Sequence, residues 1–451
     1  MKGKGVSGLT GQIKEKIIQQ TLERRLRKAE HDEGAATCAD SSTRSEDFDI
    51  PEKFYRFHLH PGYQKLRTIN AGAARFGITN PFFKVHDAIA GALTSISGEP
   101  YTNFASYNYL GLSGHPYVSQ AAKAAIDRYG TSASASRMVA GERPIHRDLE
   151  RALAEVYGTD DALVFVSGHA TNVTAIGHLF GPKDLIVHDA LIHNSILQGI
   201  VLSGANRLPF PHNDWVALDN ILKNQRHHFE RVLIVVEGIY SMDGDYPDLP
   251  AFIEIKRRRH AFLMVDEAHS FGVMGERGLG IREHFGLGGK EVDIWMGTLS
   301  KALAGCGGFI AGETALVEHL KFVAPGFLYS VGMPPPIAAA CLAALECLLR
   351  EPERVKTLQE RGRFFLARAK AAGIDTGTSA GLAVTPAITG SSLKAAQLSA
   401  ALFTRGINVQ PIVYPAVQEK SARLRFFICC DHSEEQIVST ISALREEIRL
   451  L

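Results

Sequence analysis

The stretch DIWMGTLSKALAGCGG, residues 293–308, carries the lysine around which the rest of the chain can be interpreted. Its apolar start, 294–296, predicts a buried strand, and the glycine-rich loop that follows holds Lys301. An amine on such a loop, beside the hydroxyl groups of Thr298 and Ser300, suits a nucleophile that forms a Schiff base next to a bound phosphate. A surface lysine in a glycine-rich turn would explain this stretch equally well.

A second stretch upstream, FLMVDEAH at 262–269, favours the first interpretation. Four apolar residues end in Asp266, and a carboxylate at the carboxyl end of a buried parallel strand lies where open α/β sheets bind ligands. Pyridoxal phosphate chemistry needs such an acid against the ring nitrogen, because the protonated ring then withdraws electrons. Asp266 could alternatively cap a helix at the end of its strand. Lys301 and Asp266 in one chain together predict a pyridoxal phosphate site.

The bulk composition is that of an ordinary globular protein. The chain has 451 residues, a net charge of +1 and 45% hydrophobic residues, which predicts two or three domains and gives no reason to expect a nucleic-acid partner. The six cysteines lack metal-ligand spacing, so we expect free thiols and no metal site. Adjacent Cys429 and Cys430 should point to opposite faces of a strand. Neither a secretory signal nor a membrane-spanning stretch is evident, which predicts a cytoplasmic protein.

The order of apolar runs predicts the fold class. Strands are expected at 162–166, 184–187, 231–236, 261–265, 294–296 and 308–311. Their alternation with helix-length stretches is typical of an α/β fold with a mostly parallel sheet covered on both faces. After about residue 335, a helical region at 336–371, short strands near 382–388 and 423–429 and a helix from Ser433 predict a smaller α+β domain.

Four parts make up the expected domain organisation. Residues 1–50 form an extension, in which a helix with a basic face over 9–30 precedes a mobile linker over 31–48. That helix could be a surface or subunit-packing helix, or a docking helix for an acidic partner. The other parts are an aromatic-rich segment packing on the core (51–100), a large domain (101–335) and a small C-terminal domain (336–451).

Several other positions could bind an anionic cofactor or substrate. Residues 167–169 (SGH) follow a strand, and free amides at a helix start there would hold a phosphate, although a plain turn is the alternative. His193 could stack on a flat ring and act as acid or base, and Ser241 could reach the cofactor from another strand end. Arg423 and Arg425 share one strand face, where either could grip a carboxylate or form a structural ion pair.

One histidine-containing run remains ambiguous. The triplet HND at 212–214 could contribute to chemistry, but the chain has 18 histidines, most of which will be structural or surface residues. We therefore interpret this triplet as a turn.

Together these motifs resemble those of the α-oxoamine synthases, pyridoxal phosphate enzymes with the fold-type I aminotransferase architecture. The similarity covers about residues 100–445. It rests on SYNYLGL (106–112), SRMVAGERPIHRDLE (136–150), HNS (193–195), EGIYSMDGD (237–245), VDEAHS (265–270), GTLSKALAGCGG (297–308), YSVGMPP (329–335) and ARLR (422–425). Family members, among them 8-amino-7-oxononanoate synthase, serine palmitoyltransferase and glycine C-acetyltransferase, join an amino acid to an acyl thioester, lose carbon dioxide and release an α-amino ketone.

The resemblance implies a role for each candidate residue. Lys301 forms the Schiff base with the cofactor and moves the α-proton, Asp266 pairs with the pyridinium nitrogen, and His269 meets the ring hydroxyl. His193 stacks on the ring. The backbone of Gly168 and His169 and the side chain of Thr298 hold the phosphate in this pattern. Ser241 contacts the side of the ring. Arg425 and Asn108 bind the substrate carboxylate.

Oligomeric state and partners are implied in the same way. The family pattern is a homodimer with shared active sites, in which Ser330 reaches the partner's phosphate, although Val331-Gly332 replaces a more usual hydroxyl pair. The long N-terminus and FGITNPFF (76–83) are similar to members beside polyketide and peptide assembly lines, which take the acyl group from an acyl carrier protein. An aminotransferase or another pyridoxal phosphate enzyme of this fold, or a non-catalytic partner subunit, is the alternative function.

Overall fold

The computed structural model describes residues 50–75 and 80–451. The helix expected at 9–30 and the linker expected at 31–48 therefore lie outside the described residues, as does part of FGITNPFF. The chain divides into two units, Met1–Ile69 and Asn70–Leu451. The described part of the first unit holds two short 3-10 turns, Glu52–Phe54 and Phe57–Leu59, and the start of helix α1.

The elements follow one another along the chain in a pattern close to the expected one. The helices are α1 (Pro61–Arg75), α2 (Pro116–Tyr129), α3 (Pro144–Tyr157), α4 (Gly168–Leu179), α5 (Asn194–Ser203), α6 (Trp215–Gln225), α7 (Leu249–Arg259), α8 (Ile281–His284), α9 (Thr314–Val323), α10 (Pro325–Leu328), α11 (Pro335–Arg350), α12 (Pro352–Ala371), α13 (Ser392–Thr404) and α14 (Glu434–Leu450). The strands are β1 (Leu93–Ile96), β2 (Glu99–Asn103), β3 (Asp161–Phe165), β4 (Leu185–Asp189), β5 (Asn206–Phe210), β6 (Val232–Glu237), β7 (Phe262–Asp266), β8 (Ile294–Thr298), β9 (Gly308–Gly312), β10 (Val384–Ile388), β11 (Ile407–Asn408), β12 (Gln410–Ile412) and β13 (Arg423–Phe427).

A seven-stranded sheet with the order β3-β9-β8-β7-β6-β4-β5 forms the centre of the second unit. β9 runs antiparallel to its neighbours β3 and β8, whereas the other pairs are parallel. The expected α/β class with a mostly parallel sheet is confirmed. β5 was not predicted, because its sequence, NRLPF, contains polar residues and a proline, which a strand tolerates at the edge of a sheet.

Both faces of this sheet are covered. All six residues of β6 are buried, as a parallel strand between two layers of helices requires. Their side chains alternate between two hydrophobic clusters: Val232, Ile234 and Val236 pack in one, and Leu233 and Val235 in the other. The first cluster also holds α3 and α11 side chains, and the second holds those of α4 and α5.

Two smaller sheets complete the second unit. β10, β13 and β12 form an antiparallel sheet. β1, β2 and β11 form a mixed sheet, in which β2 is antiparallel to β1 and parallel to β11. The helical region expected at 336–371 is two helices, because Pro352 starts α12 and interrupts the hydrogen-bond ladder after Arg350. As expected, the terminal helix begins after Ser433. The side chains of Ser433 and Gln436 form a capping box there. A smaller sheet domain is thus present, while its boundaries at 101, 335 and 336 remain predictions.

The cysteine prediction needs one correction. The five cysteines within the described residues are free, but Cys429 and Cys430 do not point to opposite faces. Their thiols lie 3.8 and 3.5 Å from the two carboxylate oxygens of Asp431. β13 ends at Phe427, so the alternation of a strand no longer applies at these positions. Within residues 50–75 and 80–451, no helix is both long and apolar enough to cross a membrane.

Candidate active site

The strand order brings the carboxyl ends of β6, β7 and β8 together. Glu237 is the Cα partner of Asp266, and Asp266 is the Cα partner of Met296, so these three residues lie side by side near the carboxyl ends of their strands. A cavity of about 180 Å³ opens there. Seven predicted site residues line it: Gly168, His169, His193, Asp266, His269, Thr298 and Lys301.

The amine of Lys301 is crowded by the protein and has a low proton affinity. Burial lowers its pKa to about 8, although the negative charge of Asp266 opposes that shift. Its Nζ lies 5.6 Å from the centre of the Tyr107 ring. A pKa near 8 leaves a useful fraction of the amine neutral at physiological pH, which a lysine nucleophile requires.

Asp266 is held at the end of β7 by two donors. The side-chain amide of Asn172 donates to Oδ2 at 2.8 Å, and the backbone N–H of Ala268 donates to Oδ1 at 2.9 Å. The same Asn172 amide lies 3.0 Å from Ser195 Oγ, which is 2.7 Å from His193 Nδ1. A continuous polar chain therefore orients the acid and the histidine that face the same cavity.

His269 is buried and kept neutral. Its Nδ1 is 2.7 Å from the hydroxyl of Tyr109. Burial, and then the positive charges of Lys301, Arg425 and His193, hold the pKa of His269 well below its usual range. A neutral imidazole with one nitrogen occupied by Tyr109 can offer its other nitrogen to a ligand hydroxyl.

The start of helix α4 also lines the cavity. Helix α4 starts at Gly168, and Ser167 caps it by accepting a hydrogen bond from the Ala170 amide at 3.3 Å. The first amides of a helix have no acceptor within it, so those of Gly168 and His169 are available to an anion. A Cβ on Gly168 would lie 2.8 Å from Thr298 Oγ1, so this close approach of helix and loop requires glycine.

Two neighbouring arginines on β13 have different roles. The Nη1 of Arg423 forms an ion pair with Asp243 at 2.6 Å. Arg425 instead donates from Nη1 to the backbone oxygen of Ser241 at 3.1 Å, and within the described residues it has no acidic partner. Burial lowers the pKa of Arg425. The structural ion pair considered for either arginine therefore belongs to Arg423.

The other predicted site residues lie outside the cavity of the single chain. Ser241 is buried and uses its backbone oxygen to hold Arg425. The side-chain oxygen of Asn108 accepts from the Ser113 amide at 3.1 Å and so shapes its own turn. Ser330 lies in the loop after α10. Their predicted contacts with cofactor or substrate remain predictions.

Comparisons with known proteins identify the family. The model of the aminotransferase class I and II family matches residues 99–444. The chain is 41% identical to the 8-amino-7-oxononanoate synthase of Fervidobacterium nodosum over 350 residues, which cover 77% of this chain and 88% of that protein. The chain belongs to the α-oxoamine synthase family. It is a pyridoxal phosphate enzyme of the acyltransferase class, and its reaction condenses an amino acid with an acyl thioester with loss of carbon dioxide.

Solved structures of α-oxoamine synthases agree with this assignment. The serine palmitoyltransferase of Sphingomonas wittichii superposes with a TM-score of 0.83 at 29% identity, covering 87% of this chain and 98% of that one. A serine palmitoyltransferase structure with the pyridoxal phosphate internal aldimine has the same TM-score, at 28% identity and with the same coverage.

The residues of this α-oxoamine synthase fit the cofactor. The cavity offers an amine, a carboxylate and a glycine-lined helix start, which match the aldehyde, ring nitrogen and phosphate of pyridoxal phosphate. Two buried oxygens that face it, Asn172 Oδ1 and Glu237 Oε1, have no hydrogen-bond partner within the described residues. A polar ligand in the cavity would satisfy such groups.

Four residues that shape the site were not among the predicted ones: Tyr109, Asn172, Ser195 and Glu237. Asn172 lies four residues after Gly168 on α4, and that helical spacing could have placed it on the same face. Ser195 and Glu237 belong to quoted motifs, but no local pattern indicated their partners. Tyr109 is 160 residues from His269, so only the tertiary structure relates them.

Proposed function

We propose that this α-oxoamine synthase performs its condensation in the cavity at the ends of β6, β7 and β8. The observation that carries the proposal is that Lys301, Asp266 and the start of α4 line one cavity. When bound, pyridoxal phosphate supplies an electron sink that stabilises a carbanion at the substrate Cα. The chain's own residues bind the reactants and move the protons.

Lys301 provides the amine that attaches the cofactor and then acts as the general base. Its lowered pKa of about 8 allows Nζ to accept the proton from the amino acid Cα at physiological pH and to return a proton afterwards. Asp266 holds a proton at the ring nitrogen, and Asn172 keeps that carboxylate oriented. His269, positioned by Tyr109, donates a hydrogen bond to the ring hydroxyl.

Different groups bind the cofactor and the substrate. The amides of Gly168 and His169 and the hydroxyl of Thr298 hold the phosphate. His193 stacks on the cofactor ring. Arg425 binds the carboxylate of the amino acid, because it is a partly buried guanidinium without an acidic partner in the described chain.

The test uses purified protein with pyridoxal phosphate, an acyl-CoA and alanine, serine or glycine. We expect free thiol and an α-amino ketone to appear together and only with both substrates, as measured by thiol titration and mass spectrometry. A keto acid without thiol release would indicate an aminotransferase instead. If the protein shows no turnover and no cofactor absorbance band at about 420 nm, it is a non-catalytic partner subunit.

We also propose a homodimer in which Ser330 of each subunit contributes to the partner's phosphate site. Ser330 lies outside the cavity of its own chain, which supports a role in the second subunit. Sedimentation analysis should give twice the chain mass. The S330A variant should bind pyridoxal phosphate several-fold more weakly if this contact forms, and equal affinity would contradict it.

We propose an acyl carrier protein as an acyl donor beside acyl-CoA. This proposal rests on the lysine- and arginine-rich sequence of residues 9–30, because complementary charge speeds the encounter with an acidic carrier. Deleting residues 1–50 should slow turnover with carrier-bound acyl groups and spare turnover with a small thioester. Equal loss with both donors would contradict the proposal. A cytoplasmic location remains a prediction from sequence.

A further inference from the structure

His212 lies between two carboxylates outside the cofactor cavity. Its Nδ1 is 2.9 Å from Asp189 Oδ1, and its Nε2 is 3.0 Å from Asp245 Oδ2. Both ring nitrogens therefore face acceptors, which the doubly protonated imidazolium satisfies with two N–H donors. The edge of His212 also meets the ring of Tyr240, with 4.4 Å between ring centres. The interpretation of HND as a mere turn is thus incomplete.

The charge of His212 is set by its surroundings. Burial lowers its pKa, but the hydrogen bonds and negative charges of Asp189 and Asp245 outweigh burial and raise the pKa to about 10. The Asp189 side chain is fully buried. Removing a cation from between two carboxylates that are shielded from water would leave them to repel each other.

Asp189 connects this cation to the His193 side of the site. Its Oδ1 accepts from the Leu191 amide at 2.8 Å, and its Oδ2 accepts from the Asn213 amide at 2.7 Å. The Leu191 bond shapes the turn that leads from β4 to His193, the N-cap of α5, and the Asn213 bond joins Asp189 to the segment that holds His212. The position of the His193 ring therefore depends on Asp189.

Asp245 connects the same cation to the Arg425 side. The Asp245 backbone oxygen accepts from the Tyr240 amide at 2.9 Å, which closes a loop over 240–245. Inside that loop, Ser241 O and Met242 Sδ accept from Arg425 at 3.1 and 3.4 Å. The hydroxyl of Thr378 adds a bond of 2.6 Å to Asp245 Oδ2.

We propose that His212 is a positioning residue for the condensation: its imidazolium fixes the spacing between His193, which stacks on the cofactor, and Arg425, which binds the substrate carboxylate. This inference rests on the roles proposed above for those two residues. His212 contacts neither cofactor nor substrate. It acts by joining the turn that precedes His193 to the loop over 240–245 that holds Arg425.

The test compares H212Q and D245N with the wild-type holoenzyme. H212Q, which removes the cation, should raise the KM for the amino acid by about ten-fold to a hundred-fold, because a displacement of a binding group by about 1 Å weakens its interaction by that order. It should also change the visible circular dichroism of the bound cofactor, since the His193 ring shifts. D245N, which loosens the Arg425 side, should raise KM while leaving the dichroism near that of wild type. A purely structural role would not produce this split.

Two controls make the outcome decisive. The first control, R259Q, breaks the ion pair between Arg259 and Asp219, whose atoms lie 2.8 Å apart at the end of α7. This variant should leave both the KM and the dichroism unchanged. R425Q tests the underlying role of Arg425: unchanged KM in R425Q would overturn that role. Raised KM in R425Q with unchanged KM and dichroism in folded H212Q would overturn the inference about His212 alone. If H212Q does not fold, D245N alone decides: unchanged KM would overturn the inference.

Discussion

Glu237 and Asp266 lie side by side as Cα partners at the carboxyl ends of the parallel strands β6 and β7. Their exposed fractions are only 3% and 4%. A buried carboxyl group beside another acidic side chain favours its neutral form, because burial and a neighbouring negative charge both oppose its ionisation. Burial, and then the charge of Asp266, raise the pKa of Glu237 well above its usual range. Glu237 is therefore a neutral carboxylic acid beside Asp266.

A protonated Glu237 should tolerate replacement by its neutral isostere. We expect E237Q to keep cofactor affinity and turnover within about five-fold of wild type, because one neutral hydrogen-bonding group replaces another. E237K would place a second cation beside Lys301 and should prevent cofactor binding. Equilibrium titration with pyridoxal phosphate and steady-state kinetics measure both effects. A loss of about a hundred-fold or more in E237Q would mean that the ionised carboxylate is the working form.

Removing the Lys301 amine should abolish covalent attachment of the cofactor. We expect K301A to lose reductive trapping by borohydride and to lower turnover by at least about 10²–10⁴-fold, the usual contribution of a general base. Peptide mapping of the trapped wild-type protein should locate the label at position 301. The matched control is K290A, which removes an exposed lysine paired with Asp160 and should retain both properties. A label on another lysine would refute the site.

Covalent capture of the cofactor should follow the titration of Lys301. Because the neutral amine is the nucleophile and its pKa is about 8, the capture rate should rise as pH increases towards 8 and level off above it. An ordinary lysine would continue to gain reactivity up to about pH 10.4. Stopped-flow absorbance with apoenzyme and pyridoxal phosphate measures the profile. A rate that keeps climbing past about pH 9 would contradict the lowered pKa.

The two arginines of β13 should separate stability from substrate binding. R423Q leaves Asp243 without its cation and should lower the free energy of unfolding by about 3 kcal/mol. R425Q breaks no ion pair within the described chain, so it should change stability less and instead raise the KM for the amino acid. Chemical denaturation and initial-rate kinetics distinguish the two variants. The opposite pattern would exchange their roles.

Local sequence patterns were sufficient to predict many of the strands and helices of this protein. The apolar runs that end in Asp266 and precede Lys301 predicted two neighbouring strands of the sheet, because burial on both faces leaves a continuous apolar signature. The helix from Ser433 was also predicted, and a helix start at 167–169 was one of two interpretations; the structure has a helix start at both places. The amino-acid sequence alone therefore predicted Lys301 and Asp266 as the central pair of the site, and the structure places both at one cavity.

Only the tertiary structure decided which side chains work together. The sheet order places β6 beside β7, and so Glu237 beside Asp266, although 29 positions separate them along the chain. The alternation of β13 put Arg423 and Arg425 on one face, but the choice between ion pair and free guanidinium depended on where Asp243 lies. His212 likewise became a bridging cation only through Asp189 and Asp245. Periodicity fixes a residue's own strand and face, whereas partners and charge depend on contacts between segments distant in sequence.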